Sequence, residues 1–480
     1  MTDFGVIPAK IQTPDRVETR IGTLEFHDGL PTETTAAALY DHLDFLRAVE
    51  VFLQCVPAAS LEAMRAGMVD LGIEACHQVA IADDLLDSNP LFLTGNTDTV
   101  YVSGVIDLDR DGPTVVEIPP GCGPGTVNDA WFRFVIDMGR PGPDRGEGGT
   151  YLIVPTGYDG PVPDGAFVGE SPSNVNWLIL RGLLVDGAAD GAARSMRDGV
   201  RVYPLSRADD PPATEFISMS EVGFNTIHAN DVEFYDEVAA VVAREPVGVI
   251  DPETRGLLAS IGIRKGTPFA PDQRMQEILR DAAKVANGTA RAIAFSTRDS
   301  DAFLYSDRAW KTAFIGGDYQ WLLDGGAGGR NLDARTMFFY LATVNTPAMA
   351  LEMPGVGSQY ALVDHDAQGS GLDGGRDYSL TLPPDVPAND FWSIVVYDPQ
   401  TRSELRTTQP FPSRNSQRDD VAHNPDGSVT LRFGPEPPAA DPGNWIQTVP
   451  GKHWFAILRL YGPLAPWFDR TWVPGDISPS

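Results

Sequence analysis

The sequence predicts a mainly β protein of the α+β class. It reads as two β-sandwich or jelly-roll-like modules with helices at the N-terminus and between them. Three observations lead there. Gly (48) and Pro (40) are abundant among the 480 residues, which favours many short elements joined by turns. Short β-branched runs bounded by Gly and Pro recur on both sides of a stretch with helical periodicity. Strand and helix do not alternate one by one, which disfavours a Rossmann-like parallel sheet.

The elements follow in order. Residues 1–30 read as an extended arm. Thr32 to Thr35 offer cap residues, and Ala38, Leu39, Leu43, Leu46, Val49 and Phe52 follow at helical spacing, so helices are expected over 33–56 and 59–70. From Leu91 the texture becomes β. Strands are expected over 100–106, 114–118, 131–136, 150–154 and 177–180. Residues 231–350 read as helical, with helices over 232–243 and 335–342. A third, over 272–294, would be capped by Asp272 and carry Met275, Ile278, Leu279, Ala282, Val285 and Ala286 on one face. Strands return over 378–382, 391–397, 429–433 and 454–460, the first two expected as a hairpin-like pair. The division is 1–230, 231–350 and 351–480, with neither internal repeat nor low-complexity segment.

Lys plus Arg is 36 and Asp plus Glu is 66, so the net charge is 36 − 66 = −30. Such a surface repels phosphate, and neither a nucleic acid nor an anionic membrane is an expected partner. No apolar run reaches transmembrane length. The N-terminus lacks a signal-peptide pattern, so a cytoplasmic location is expected, or a periplasmic one if a leader has been removed. Cys55, Cys76 and Cys122 share no CxxC spacing and read as buried thiols.

Candidate chemistry is thinly spread. Asn96-Thr97-Asp98-Thr99-Val100-Tyr101 precedes a strand and either presents oxygens at a strand mouth or forms an Asx turn. The Gly-rich segment 139–149 could cradle an anion on its N–H groups, hold a cation on Asp144 and Glu147, or be a plain loop. It lacks the Lys and helix of a P-loop. Residues 364–374 resemble a calcium loop, but position 12 is Gly375, so an EF-hand is rejected and a turn expected. Residues 424–427 read as a turn. The seven histidines form no HxH or HExxH, and His228 is the most plausible chemical one. There is no GxSxG elbow.

At these residues a family resemblance enters. Leu91 to Tyr101, Asp107-Leu108, Pro113 to Pro120, Asp129-Ala130-Trp131-Phe132-Arg133, Gly142-Pro143-Asp144 and Gly148 to Leu152 resemble the bacterial family called domain of unknown function 1254. Thr150 stands where that family usually has Lys. Leu372 to Gly375, Phe391-Trp392-Ser393, Tyr397-Asp398, Asn424 with Asp426 to Ser428, Asn444-Trp445 and Arg459 to Pro463 resemble its habitual partner, domain of unknown function 1214. The resemblance runs from about residue 20 to 478. It implies a two-module β-rich chain with helices between, and no mechanism.

The expected function is a catabolic enzyme, a hydrolase or lyase, acting on a small organic molecule at a polar cavity in the N-terminal module. Asp98, Tyr101, Arg133 and Asp144 are the expected catalytic residues, with Asn96, Trp131, Tyr151 and His228 as substrate contacts. Asp98 and Tyr101 are expected to share one cavity with Arg133, and Trp131 to lie on the same strand face as Arg133. No cofactor is identified. If a metal is bound, oxygen ligands favour Mg²⁺ or Ca²⁺. Other expectations are a non-catalytic carbohydrate- or small-ligand-binding protein and an oligomeric structural protein; a homo-oligomer is expected throughout.

Overall fold

The computed structural model describes residues 7–439 and 442–480. The expected N-terminal arm is instead a small meander of β1 (Arg16–Thr19), β2 (Gly22–His27) and β3 (Leu30–Pro31). Thr32 then caps α1 (Glu33–Asp70), its hydroxyl oxygen accepting from the Thr35 N–H. One 38-residue helix replaces the two expected. Pro57 lies inside it and cannot donate to the Leu53 carbonyl. Thr336 Oγ1 donates to that carbonyl instead at 3.4 Å, so the helix runs through.

The first sandwich has a six-stranded sheet ordered β13-β4-β5-β11-β7-β8. Its strands are β4 (Gln78–Ile81), β5 (Thr99–Asp107), β7 (Gly125–Asp129), β8 (Phe134–Met138), β11 (Val175–Leu183) and β13 (Glu215–Ser218). Facing it is a sheet ordered β10-β9-β6-β12, from β6 (Thr114–Ile118), β9 (Gly149–Pro155), β10 (Phe167–Ser171) and β12 (Arg201–Pro204). Val102, Val127 and Leu178 meet Val116, Tyr151 and Val202 between the two sheets. Helix α2 (Ala189–Gly199) adds Ala192 and Met196 to that core. The strand expected over 131–136 is displaced. Asp129 N bonds to Arg133 O, Phe132 takes φ 52°, and residues 130–133 form the hairpin turn between β7 and β8.

The middle of the chain supplies α3 (Glu233–Arg244), α4 (Pro252–Ser260), α5 (Gln273–Phe295), α6 (Leu332–Leu341) and the short α7 (Pro347–Ala350). Asp272 caps α5 by accepting from Met275 N at 2.8 Å. Ile278, Ala282, Ala286, Ala290 and Ala294 recur every four residues on its buried face, and this small-residue stripe brings α5 close to α1. Gly67 of α1 likewise admits the 225–226 backbone: a Cβ there would stand 2.2 Å from the Asn225 carbonyl oxygen.

The second sandwich pairs a β14-β20-β16-β17 sheet with a β19-β18-β15-β21 sheet. The first comprises β14 (Ser358–Val363), β16 (Ala388–Tyr397), β17 (Ser413–Asn415) and β20 (Phe455–Pro463). The second comprises β15 (Tyr378–Leu382), β18 (Val429–Gly434), β19 (Trp445–Gln447) and β21 (Ser478–Pro479), and α8 (Ala465–Phe468) follows β20. Ala361, Ile394 and Leu458 face Leu380, Leu431 and Ile446 across the core. Thus β15 and β16 are not the expected hairpin. Each lies in a different sheet, and the connection crosses the sandwich.

The largest core joins the helices to the outward faces of both sandwiches. Val51, Phe52, Leu279 and Met337 meet Trp177 and Ile179 on one side and Val395 and Ile457 on the other. All three cysteines are buried, and burial pushes each thiol up to about 12. No helix among the described residues is long and apolar enough to cross a membrane.

Candidate functional site

Strand alternation decides which side chains leave the sandwich cores. In β11, Leu178 and Leu180 point into the first core, so Ile179 and Arg181 point toward the helices. In β5, Val100 and Val102 point inward and Tyr101 outward. In β20, Leu458 and Leu460 point inward, which sends Ile457, Arg459 and Tyr461 outward. Register completes the pattern. Tyr101 pairs with Arg181 across β5 and β11, and Tyr360 pairs with Arg459 across β14 and β20. Each guanidinium sits by the ring opposite, at 5.6 Å for Arg181–Tyr101 and 5.3 Å for Arg459–Tyr360. Both Tyr–Arg pairs line one cavity. Its other walls are largely apolar, with Phe92, Phe314, Phe338, Leu341 and Met349.

Arg181 and Arg459 are 6% and 5% exposed. Neither forms an ion pair among the described residues. Each Nε is buried without a hydrogen-bond partner among the described residues. Arg459 Nη2 donates to Thr94 O at 2.6 Å and to Tyr397 Oη at 2.7 Å. Burial opposes both charges, but the surrounding tyrosine oxygens, Tyr101 foremost at Arg181 and Tyr397 at Arg459, hold both pKa values above the ordinary one. Asp137, which lines a further pocket together with Arg181, is pushed up to about 6 by burial. Glu404 is buried, and among the described residues both its oxygens are unpartnered; burial, then the nearby Asp98, push it well above the carboxylate range. The third cation of the cavity, Lys311, is already paired with Asp364 at 2.6 Å. Buried charge is normally matched by a partner; Arg181 forms no ion pair among the described residues, although Asp137 lies near enough to feel its charge.

The residues singled out in the sequence go to several places. Tyr101 lines this cavity. Asn96 positions it: Oδ1 accepts from Asp98 N at 2.9 Å and Thr99 N at 3.2 Å, which leaves Nδ2 to donate to Tyr101 Oη. Asp98 is fully buried at the joint between modules, accepting from Ser393 Oγ at 2.5 Å, Asn415 Nδ2 at 3.0 Å and Tyr461 Oη at 3.2 Å. Arg133 does not join them. It pairs with Asp129 at 2.6 Å, donates to Val249 O and lines a different cavity with Trp131, both on the hairpin turn and not on a strand face. The N–H groups of Gly139, Gly146 and Gly148 do cradle an anion, but it is the Asp144 carboxylate of their own loop, which also accepts from Tyr151 Oη. Those donors fill the oxygens that a cation would need. Residues 366–370 and 424–428 are turns, as expected. His228 is buried near α6, its Nδ1 against Ala229 O at 2.8 Å and its Nε2 3.5 Å from Arg402 Nη2; burial, then Arg402, lower it to about 3. Among the described residues no three His, Cys, Asp or Glu side chains gather as a metal site would need.

Residues 76–204 match the family model described as a protein of unknown function, DUF1254, and residues 357–465 match the one described as a protein of unknown function, DUF1214. The chain carries this two-module pairing. No curated protein matches it. Among solved structures, the VPA0106 protein of Vibrio parahaemolyticus is similar in fold, with a TM-score of 0.54 at 18% identity over 91% of this chain and 99% of that one. An uncharacterised protein from Burkholderia cenocepacia aligns at 12% identity and a TM-score of 0.40 over 93% of this chain and 96% of that one. The family boundaries give the cavity its meaning. Tyr101 and Arg181 come from the DUF1254 module, Tyr360 and Arg459 from the DUF1214 module, and neither module holds both pairs. Sequence reasoning missed both arginines and Tyr360. The signal was present: Arg181 ends the apolar run Trp177 to Leu180, and Arg459 interrupts the run Phe455 to Leu460.

Proposed function

We propose that the inter-module cavity binds a small, largely apolar molecule through a single carboxylate held between Arg181 and Arg459. The observation that carries this reading is the buried Arg181, which forms no ion pair among the described residues and whose strand position places it on the cavity wall. Guanidinium forks suit carboxylates, and the apolar walls suit the rest of such a ligand. A hydrolase or lyase acting on that ligand is a second reading, favoured by Tyr101. Its oxygen accepts from Asn96 Nδ2, which leaves its own proton free for a substrate oxygen held beside Arg181.

The test is calorimetric titration with hexanoate, benzoate and the neutral hexanamide, on wild type and Arg181→Met. The carboxylates should bind and the amide should not. A hydrogen bond to a charged group is worth about 1.5–3 kcal/mol, so the substitution should weaken binding by about 10- to 150-fold. The unliganded variant should be no less stable than wild type, since an unmatched buried charge is removed. Equal affinity for amide and carboxylate, or full affinity in Arg181→Met, would overturn the reading.

A further inference from the structure

The chain carries 30 more acidic than basic side chains, yet a second cavity gathers three arginines. It lies between the β7–β8 turn, α1, α4 and α6. Arg133, Arg330 and Arg335 line it, with Asp251 as the one carboxylate among its lining residues. Asp251 is occupied with the start of α4, accepting from Thr254 N at 2.9 Å and Thr254 Oγ1 at 2.7 Å. Arg133 is matched by Asp129. Arg335 is not matched among the described residues: its Nε and Nη2 are buried without a partner there. Burial and the neighbouring Arg330 lower its pKa, and partial burial and Arg133 lower that of Arg330, against the pull of Asp318. Asn345 adds an unmet acceptor. It is 4% exposed, lines the same cavity, and its Oδ1 is buried without a partner.

We propose that this cavity is a second ligand site, separate from the inter-module one, for a compact dianion. The two charges match Arg330 and Arg335, whose mutual repulsion an anion relieves. A hydroxyl elsewhere on such a ligand would meet Asn345 Oδ1. Trp131 and Tyr319 at the wall offer rings against which a planar ligand can lie. A phosphate monoester and a dicarboxylate share this chemistry. An aromatic wall separates the two sites, with Phe314 on the inter-module side stacked at 5.8 Å on Trp321 of this one.

The experiment is calorimetric titration of the full chain with phenyl phosphate, phthalate and the monoanion phenyl sulfate. The variants are Arg335→Gln, Arg330→Gln and Arg181→Met. At least one dianion should bind about tenfold or more tightly than phenyl sulfate, and the stronger of the two identifies the source of the anion. Arg330→Gln, at the exposed rim, should fold as wild type by circular dichroism and weaken that dianion about tenfold or more. Arg335→Gln should do the same, and Arg181→Met should leave it unchanged. Loss of dianion binding in Arg181→Met alone would place the anion in the inter-module cavity and overturn the second site. So would a dianion unaffected by Arg330→Gln, or no binding of either dianion up to about 10 mM.

Discussion

Asp98→Ala should separate stability from chemistry at the joint between modules. The carboxylate lies just before β5 and reaches three strands of the other sandwich, through Ser393 on β16, Asn415 on β17 and Tyr461 on β20. Three hydrogen bonds to a charged acceptor, at about 1.5–3 kcal/mol each, would sum to about 4.5–9 kcal/mol. Two effects shrink that sum. The hydroxyls of Ser393 and Tyr461 can rotate to other acceptors, and a buried carboxylate has already lost several kcal/mol of hydration. Asn415 Nδ2 has no such freedom and would be left buried and unpaired. A net loss of about 3–5 kcal/mol follows, the range for breaking a buried charged contact from one side. Asp98→Asn keeps the shape and an acceptor oxygen, and should cost about 1–2 kcal/mol. Urea titration by tryptophan fluorescence measures both, taking the first transition because a two-module chain need not unfold in one step. An Asp98→Ala chain within about 0.5 kcal/mol of wild type would refute the view that this carboxylate pins the modules together.

Two further substitutions test the packing and the charge balance. Gly67→Ala should destabilise by about 2 kcal/mol or more, outweighing the roughly 1 kcal/mol gained in helix propensity, because its Cβ would meet Asn225 O at 2.2 Å; equal or higher stability in urea would contradict that contact. Burial pushes Glu237 up from 4.5 to about 8, so between those values the folded chain holds a proton the unfolded chain has released, and stability falls as pH rises through that window. Glu237→Gln should flatten the fall between urea midpoints measured near pH 5 and near pH 8; an unchanged slope would assign the dependence to other groups.

Much of the fold was legible because local pattern and tertiary context agree there. The runs 114–118 and 378–382 are strands with the expected bounds, and Asp272 caps α5 as its position suggested. The failures have physical causes. The two helices expected over 33–56 and 59–70 are one, because Thr336 from α6 takes the Leu53 carbonyl that Pro57 leaves free. Residues 131–133 look like a strand by composition, yet the Asp129 carboxylate accepts from the N–H groups of Trp131 and Arg133 and folds them into a turn. The candidate site was the least legible part. Asn96 and Asp98 drew notice as polar residues at a strand mouth, and the second serves the joint while the first orients Tyr101. The groups that meet at the cavity come from four strands distant in the chain. Only register and the stacking of two sandwiches bring Arg181 and Arg459 together. A local reading could have flagged each arginine for standing at an outward position in an apolar strand, but not their convergence.

The most direct measurement of the central claim is a crystal structure of the full chain grown with 4-bromobenzoate, its bromine located by anomalous scattering. The account predicts the label among Phe314, Phe338 and Met349 of the inter-module cavity, with the carboxylate oxygens at about 3 Å from both the Arg181 and the Arg459 guanidinium. A label seated elsewhere, or a carboxylate turned away from Arg181, would contradict it.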